Sequence, residues 1–307
     1  MWPSIPKLCA IGALAAFLSG AAVPASADDL VGETTVYETR HEDTLPDIAQ
    51  RFDLGYVEIR TANPGIDPWL PGAGRWLQLP TRHILPLAPR HGIVINLPEL
   101  RLYYFGPKGQ IATFPLGIGR EGKETPLGTT KIRAKRENPI WVPTASEHEE
   151  NPDLPQAVGP GPDNPMGIRA LYLAWHGYAI HGTNKPYSIG RRDSHGCIRL
   201  YPTDIEKLYD MVRVGTPVTV VNQPIKAGWS NDDFYVEVHP YQSDADTIET
   251  GGKPTTEAAV DVDDLVVHMA GEATGRIDWD AVERAKRERT GMPVRVSLPD
   301  NGPFTPE

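Results

Sequence analysis

IHGTNKPYSIGRRDSHGCIRL, residues Ile180 to Leu200, holds two of the chain's nine histidines and one of its two cysteines. It opens at the end of a β-type run, Tyr178-Ala179-Ile180-His181, and a polar turn, Gly190-Arg191-Arg192-Asp193, then leads into Ser194-His195-Gly196-Cys197. A cysteine that only packs as a small hydrophobe belongs inside an aliphatic strand, whereas Cys197 stands where a loop meets an ordered element. A thiol becomes a nucleophile when a base takes its proton or a positive neighbour lowers its pKa. His181 ends a strand that a later loop can approach, and His195 lies two residues from the thiol. Gly182 and Gly196 permit close backbone approach, amides near Gly196 and Cys197 can hold a developing oxyanion, and Arg199 offers a planar fork for a carboxylate.

The compartment bears on that thiol. Lys7, the apolar run Leu8–Leu18 and Ala25-Ser26-Ala27 make residues 1–27 a cleavable secretory signal. The run is shorter than the roughly 18–20 apolar residues of a membrane span. Cys9 opens the run instead of ending it, which disfavours a lipidated cysteine. Cleavage would leave Cys197 alone, an odd cysteine in an oxidising compartment, and so an intermolecular disulfide, a reactive thiol or a buried one. No later stretch is apolar enough to span, so the mature chain is expected to be soluble outside the cytoplasm. The net charge of −10 argues against nucleic acid as a partner.

With 307 residues, 31 prolines and 29 glycines, the composition favours short strands and many turns. A first folded segment falls within residues 28–85: a strand at Thr35–Thr39, a helix starting at Thr44-Leu45-Pro46-Asp47, a second helix with Val57, Ile59 and Ala62, and a strand at Trp76–Pro80. Residues 91–222 read as strands at Ile93–Leu97, Arg101–Phe105, Gln110–Gly117, Thr129–Ala134 and Val218–Val221, with one helix at Asp204–Val212. A hairpin is expected to turn at His176-Gly177 in type I′ geometry. The proline-rich stretch Glu137–Met166 is expected to be a disordered segment or a lid, with Trp141 and Tyr187 as candidate groove residues. Residues 223–307 form an acidic, partly flexible extension, with 17 acidic and 8 basic side chains. There Tyr241–Thr256 reads as a linker, Asp278–Arg289 as a helix and Val294–Val296 as a strand.

A zinc site of His176, His181, His195 and Cys197 is the rival to thiol chemistry; the expected hairpin separates His176 from His181 and disfavours it. A papain-like protease would want an Asn or Asp partner for the histidine and a cysteine on a helix, and neither is visible. Two resemblances sharpen the reading. Asp43-Thr44-Leu45, Ile48-Ala49, Asn63-Pro64 and Leu77-Gln78-Leu79-Pro80 resemble a LysM module, which implies binding of N-acetylglucosamine-containing glycan, although Glu42 replaces the usual glycine. His181-Gly182-Thr183 and Ser194-His195-Gly196-Cys197-Ile198-Arg199-Leu200 resemble the signature of the L,D-transpeptidase (YkuD-type) catalytic domain. Gly117-Ile118-Gly119, Thr125-Pro126-Leu127-Gly128 and Gly161–Gly167 extend that match.

That resemblance implies a mainly β fold, a β-sandwich-like catalytic domain beside a small βααβ module and a C-terminal extension. It also implies Cys197 as nucleophile, His181 as proton acceptor oriented by the carbonyl of Gly182, and a loop shaped by Ser194, His195 and Gly196 near the substrate, with Arg199 as the substrate-contacting arginine. The implied reaction is acyl transfer on peptidoglycan stem peptides, without cofactor or metal. The acceptor is a lipoprotein lysine, a second stem or water; water would make a carboxypeptidase. A catalytically inactive wall-binding module is the alternative of a different class.

Overall fold

The computed structural model describes residues 28–252 and 262–299; the expected leader, residues 1–27, lies outside them. The first unit comprises β1 (Leu30–Gly32), β2 (Thr35–Glu38), α1 (Leu45–Arg51), α2 (Tyr56–Ala62), β3 (Trp76–Leu79) and β4 (Arg82–Ile84). The α1 helix starts where Thr44 Oγ1 accepts the Asp47 amide at 3.2 Å, an N-cap that satisfies one orphan donor. Leu45, Ile48 and Ala49 then recur on one face and are buried with Leu54, Ile59, Leu77 and Leu79. Each large aliphatic side chain buried this way contributes about 1.5–3 kcal/mol. Asn63 ties helix to strand, donating to the carbonyls of Ile59 and Gln78 and accepting the Gln78 amide. The strand-helix-helix-strand order read from the sequence is the order found.

The central unit contains β5 (Gly92–Asn96), β6 (Arg101–Phe105), β7 (Ile111–Pro115), β8 (Ile118–Gly119), β9 (Gly128–Glu137), α3 (Ala145–Glu150), β10 (Arg169–Leu173), β11 (Ala179–His181), β12 (Arg192–Ser194), β13 (Ile198–Arg199), α4 (Pro202–Met211) and β14 (Pro217–Val221). Eight of its strands form one sheet in the order β13-β11-β10-β9-β14-β5-β6-β7. Alternation sends Ile93, Ile95, Leu102 and Tyr104 into the main core with Ile205 and Leu208 of α4. Their neighbours Val94, Tyr103 and Phe105 face the opposite side, against Leu85, so β5 and β6 are covered on both faces and read as continuous apolar runs. The sheet curls until its edge strand β13 meets the chain beyond β7: Gly117 and Arg199 exchange both backbone hydrogen bonds at 2.9 Å.

Two expectations change here. The β10–β11 register pairs Tyr172 with Ala179, and the Leu173 amide donates to Tyr178 O, so the turn spans Ala174–Gly177. Only Gly177 in it takes positive φ, at 84°, whereas a type I′ turn needs two such residues. For the proline-rich stretch, expected to be disordered or a lid, the disordered reading is the one that gives way. Trp141 and Val158 pair as an antiparallel bridge, α3 lies between them, and buried Asn164 donates to the carbonyls of Pro139, Val158 and Gly159.

The C-terminal unit adds β15 (Ile225–Ser230), β16 (Asp233–Val238), α5 (Gln242–Glu249), α6 (Val262–Ala270), α7 (Trp279–Glu288) and β17 (Val294–Arg295). Strands β15, β16 and β17 form a sheet whose Phe234 and Val236 pack with Val266 and Val282 of the helices. Of the expected linker at Tyr241–Thr256, Gln242–Glu249 are instead the helix α5, and residues 253–256 lie outside the described residues. Ala245 and Ile248 of α5 join the main core of the central unit, which supplies the burial that its polar sequence did not advertise.

Buried charge joins the three units. Glu58 of α2 grips Arg101 of β6, with Nη2 2.7 Å from Oε2 and 2.8 Å from Oε1. Lys226 of β15 lies 2.8 Å from both Glu99 and Glu237, and Glu237 accepts the Ile84 amide at 2.5 Å. Pairing and hydrogen bonding are what make such burial tolerable.

Candidate active site

The parallel register pairs Ile180 with Ile198 and His181 with Arg199. Ile180 and Ile198 turn into the core, so Ala179, His181, Cys197 and Arg199 stand together on the opposite face. Cys197 is diagonal to His181 across the parallel pair. Ala170 and Tyr172 of β10 continue this face, and Met166 and Trp141 pack over it beside Cys197. The structure thus brings Trp141 to the expected nucleophile. Tyr187, the other expected groove residue, is 59% exposed on a single 3-10 turn, Pro186–Ser188, that abuts α1 of the first unit.

His181 is buried, and its Nδ1 lies 2.6 Å from the carbonyl oxygen of Gly182. With Nδ1–H donating there, Nε2 is the basic nitrogen. Burial first, and then the Arg199 charge, hold the imidazole down at about 4, against the support of the Gly182 and Met166 backbone. Burial pushes the Cys197 thiol up, opposed by the Ala179 backbone and by Arg199, while the charge of Glu147 adds to the rise. The thiol proton points to Gly177 O at 3.7 Å. Both groups are therefore neutral near pH 7, and they lie on one face of the β11–β13 pair.

Ser194, expected near substrate, is buried: its hydroxyl donates to Cys197 O at 2.6 Å and accepts the Gly196 amide at 3.2 Å. It braces the turn that presents the thiol. The same bond occupies the Gly196 amide, so Gly196 serves through shape and not as an oxyanion donor. Its φ is 102°, and an added Cβ would come within 2.9 Å of the Tyr178 ring. Thr125 Oγ1 donates to Gly196 O at 2.9 Å and accepts the Gly119 amide at 3.2 Å, which fastens the 119–125 loop to this turn. Arg199 donates to Asp193 at 2.6 Å. His195 turns away from the thiol toward α3, with Nε2 2.8 Å from Glu150 and Nδ1 3.5 Å from Glu147.

The arm leading into the turn is gripped from outside the central unit. Gly190 O accepts the Val57 amide and Ile189 O the Tyr56 amide; a Cβ on Gly190 would fall 2.0 Å from Tyr56 N. Arg191 stacks 3.5 Å over the Tyr56 ring and pairs with Glu249 of α5. Arg192 reaches Gln242 O and Asp246 of the same helix. Sequence reading missed these partners, together with Glu147 and Glu150. For α3 a local signal existed, because Thr144 and Glu147 form a capping box.

Among the described residues, His176, His181, His195 and Cys197 do not converge as ligands of one ion. The group that does is His83, Glu99 and Glu237, and there the Lys226 ammonium already sits between the two carboxylates.

A curled, mainly β sheet presents a thiol and a buried imidazole on one face of its β11–β13 pair. The profile of the L,D-transpeptidase catalytic domain, YkuD, matches residues 90–220. The chain is 40% identical over 291 residues to "Probable L,D-transpeptidase YbiS" of Escherichia coli, covering 90% of this chain and 91% of that protein. To "Probable L,D-transpeptidase YcfS" of the same organism it is 37% identical over 300 residues, covering 92% and 90%. The NMR structure of the catalytic domain from E. faecium L,D-transpeptidase is 24% identical and covers 44% of this chain and 100% of that one, with a TM-score of 0.36. The chain belongs to the L,D-transpeptidase family and is an enzyme. Among the described residues no helix is long and apolar enough to cross a membrane.

Proposed function

We propose that the protein transfers an acyl group from a peptidoglycan tetrapeptide stem to an amine, through a thioester on Cys197. The observation that carries this is the shared face of His181, Cys197 and Arg199 at the β11–β13 edge. His181 Nε2 takes the thiol proton as sulfur attacks the carbonyl joining diaminopimelate to the terminal D-alanine. The C–N bond breaks, the imidazolium gives its proton to the departing amine, and D-alanine leaves. The acceptor amine then attacks the thioester, His181 takes one of its protons, and the thiolate leaves and is reprotonated. The Gly182 carbonyl, accepting from Nδ1, favours the transient imidazolium. The Cys197 amide is the proposed oxyanion donor.

The acceptor in this reading is the C-terminal lysine of an outer-membrane lipoprotein, with a second stem, giving a 3→3 cross-link, as the other amine. The module at residues 28–85 is assigned to glycan binding as a LysM-like unit, residues 91–222 to catalysis and residues 223–307 to an accessory extension. Residues 1–27 are assigned to export, so that the protein works in the periplasm. Incubation with purified stems, with and without a lysine-ended peptide, tests this. D-Alanine release with a stem–peptide conjugate supports lipoprotein attachment, a stem dimer supports cross-linking, and folded, reduced protein that releases no D-alanine contradicts the reading.

A further inference from the structure

The α3 helix is six residues long and has no buried side chain. What holds it over the site is charge. Glu150 lies against the guanidinium of Arg120, its Oε2 2.8 Å from His195 Nε2 and its Oε1 3.7 Å from Lys123 Nζ. Glu147 approaches His195 from the other ring nitrogen at 3.5 Å. The cationic side is built differently. The Arg120 amide donates to Ser194 O at 3.0 Å, and Thr125 ties its loop to Gly196. Arg120 and His195 are therefore fixed to the turn that carries Cys197, while the helix bearing the carboxylates hangs in a loop closed by the Trp141–Val158 bridge.

We infer that Arg120 and His195 form a subsite for a free carboxylate of the stem peptide, and that Glu150 occupies it in this structure as a stand-in. The inference rests on the transpeptidase reading above. A guanidinium beside an imidazole N–H is a charge-assisted donor pair suited to a carboxylate. Ion pairs as exposed as these, with both Arg120 and Glu150 at 41%, are weak, so a substrate carboxylate of the same chemistry can displace Glu150. Glu150 competes with substrate and lowers apparent affinity by the fraction of time that it fills the site.

Two stem carboxylates flank the scissile bond, that of the diaminopimelate side-chain centre and that of the terminal D-alanine. The test measures kcat and KM for release of the terminal residue from three tetrapeptide stems: unmodified, amidated on the diaminopimelate carboxylate, and ended in D-alaninamide. For the unmodified stem, R120Q is expected to raise KM about tenfold, with Arg120→Lys recovering part of the loss. E150Q is expected to lower KM several-fold, with Glu150→Asp near wild type. The R120Q penalty should vanish on one of the two amidated stems, and that stem names the carboxylate. A penalty of equal size on all three stems, or no penalty, overturns the subsite. Wild-type protein that releases nothing from any stem overturns the transpeptidase reading and the subsite with it.

Discussion

His181 pairs with Arg199 across the parallel β11–β13 ladder, so a buried imidazole and a guanidinium share one face with the Cys197 thiol. The arginine has two consequences: in the proposed reaction it would meet a substrate carboxylate, and its charge opposes protonation of the ring. A base held at about 4 stays neutral through the whole range in which most histidines titrate. In the proposed reaction, thiol and imidazole would react as a neutral pair, with charge separating only as the acyl group is attacked.

That placement sets the pH profile. Protonated His181 cannot accept the thiol proton, so kcat/KM for D-alanine release should hold its plateau well below pH 6.5 and fall with a midpoint near about 4. Arg199→Gln removes the second cause of the depression and should move the midpoint upward, while burial keeps it below the ordinary histidine value. An acid limb that does not move in Arg199→Gln would contradict the electrostatic role.

Replacing either reacting group should remove turnover without unfolding. Cys197→Ala is expected to abolish D-alanine release, and His181→Ala to lower kcat by about 10²–10⁴-fold. The circular dichroism of both variants should match wild type. Full activity in Cys197→Ala would exclude the thioester route.

The arm before the thiol is clamped by α2 and α5. Arg191→Ala should lower kcat by on the order of tenfold to a hundredfold, because a small misplacement of reacting groups is costly, with little change in KM. Arg191→Lys keeps the charge toward Glu249 and should recover part of the loss. A change confined to KM would argue instead for direct substrate contact.

Glu58→Ala leaves Arg101 buried without its carboxylate. Breaking such a pair costs about 3–5 kcal/mol, so the urea midpoint should fall and residues 28–85 should become sensitive to protease. An unchanged midpoint would show that the pair does not hold the units together.

Asp204 is buried in the first turn of α4. Burial, with the charge of Asp53, raises its carboxyl from 3.8 to about 6. Folding then favours the protonated form. The cost of ionisation is absent below pH 3.8 and complete above about pH 6, where it reaches at most about 3 kcal/mol. Asp204→Asn should raise Tm at pH 7, and the gain should shrink toward zero at pH 4. A gain independent of pH would assign the effect to something other than titration.

Much of this was legible in the sequence where the signal is local. Thr44 and the spacing of Leu45, Ile48 and Ala49 mark α1, β-branched and aromatic runs mark β5 and β6, and the residues around His181 and Cys197 lie within a single stretch. What escaped is set by contacts distant along the chain. Glu58 meets Arg101 and Lys226 meets Glu99, and nothing near any of them predicts a partner. The hydrophobic face of α5 is only Ala245 and Ile248 among polar residues, so helix and linker look alike until the core they enter is known. The hairpin of β15 and β16 went unread because Gly228 and Lys226 interrupt its pattern, and both are explained by groups from other units.

The most direct test of the account is the intact mass of the protein mixed with tetrapeptide stem in the absence of acceptor, followed by peptide mapping. The account predicts wild-type protein carrying the stem less D-alanine, located on Cys197, and no adduct on Cys197→Ala. An unmodified Cys197 in protein that nevertheless releases D-alanine would contradict it.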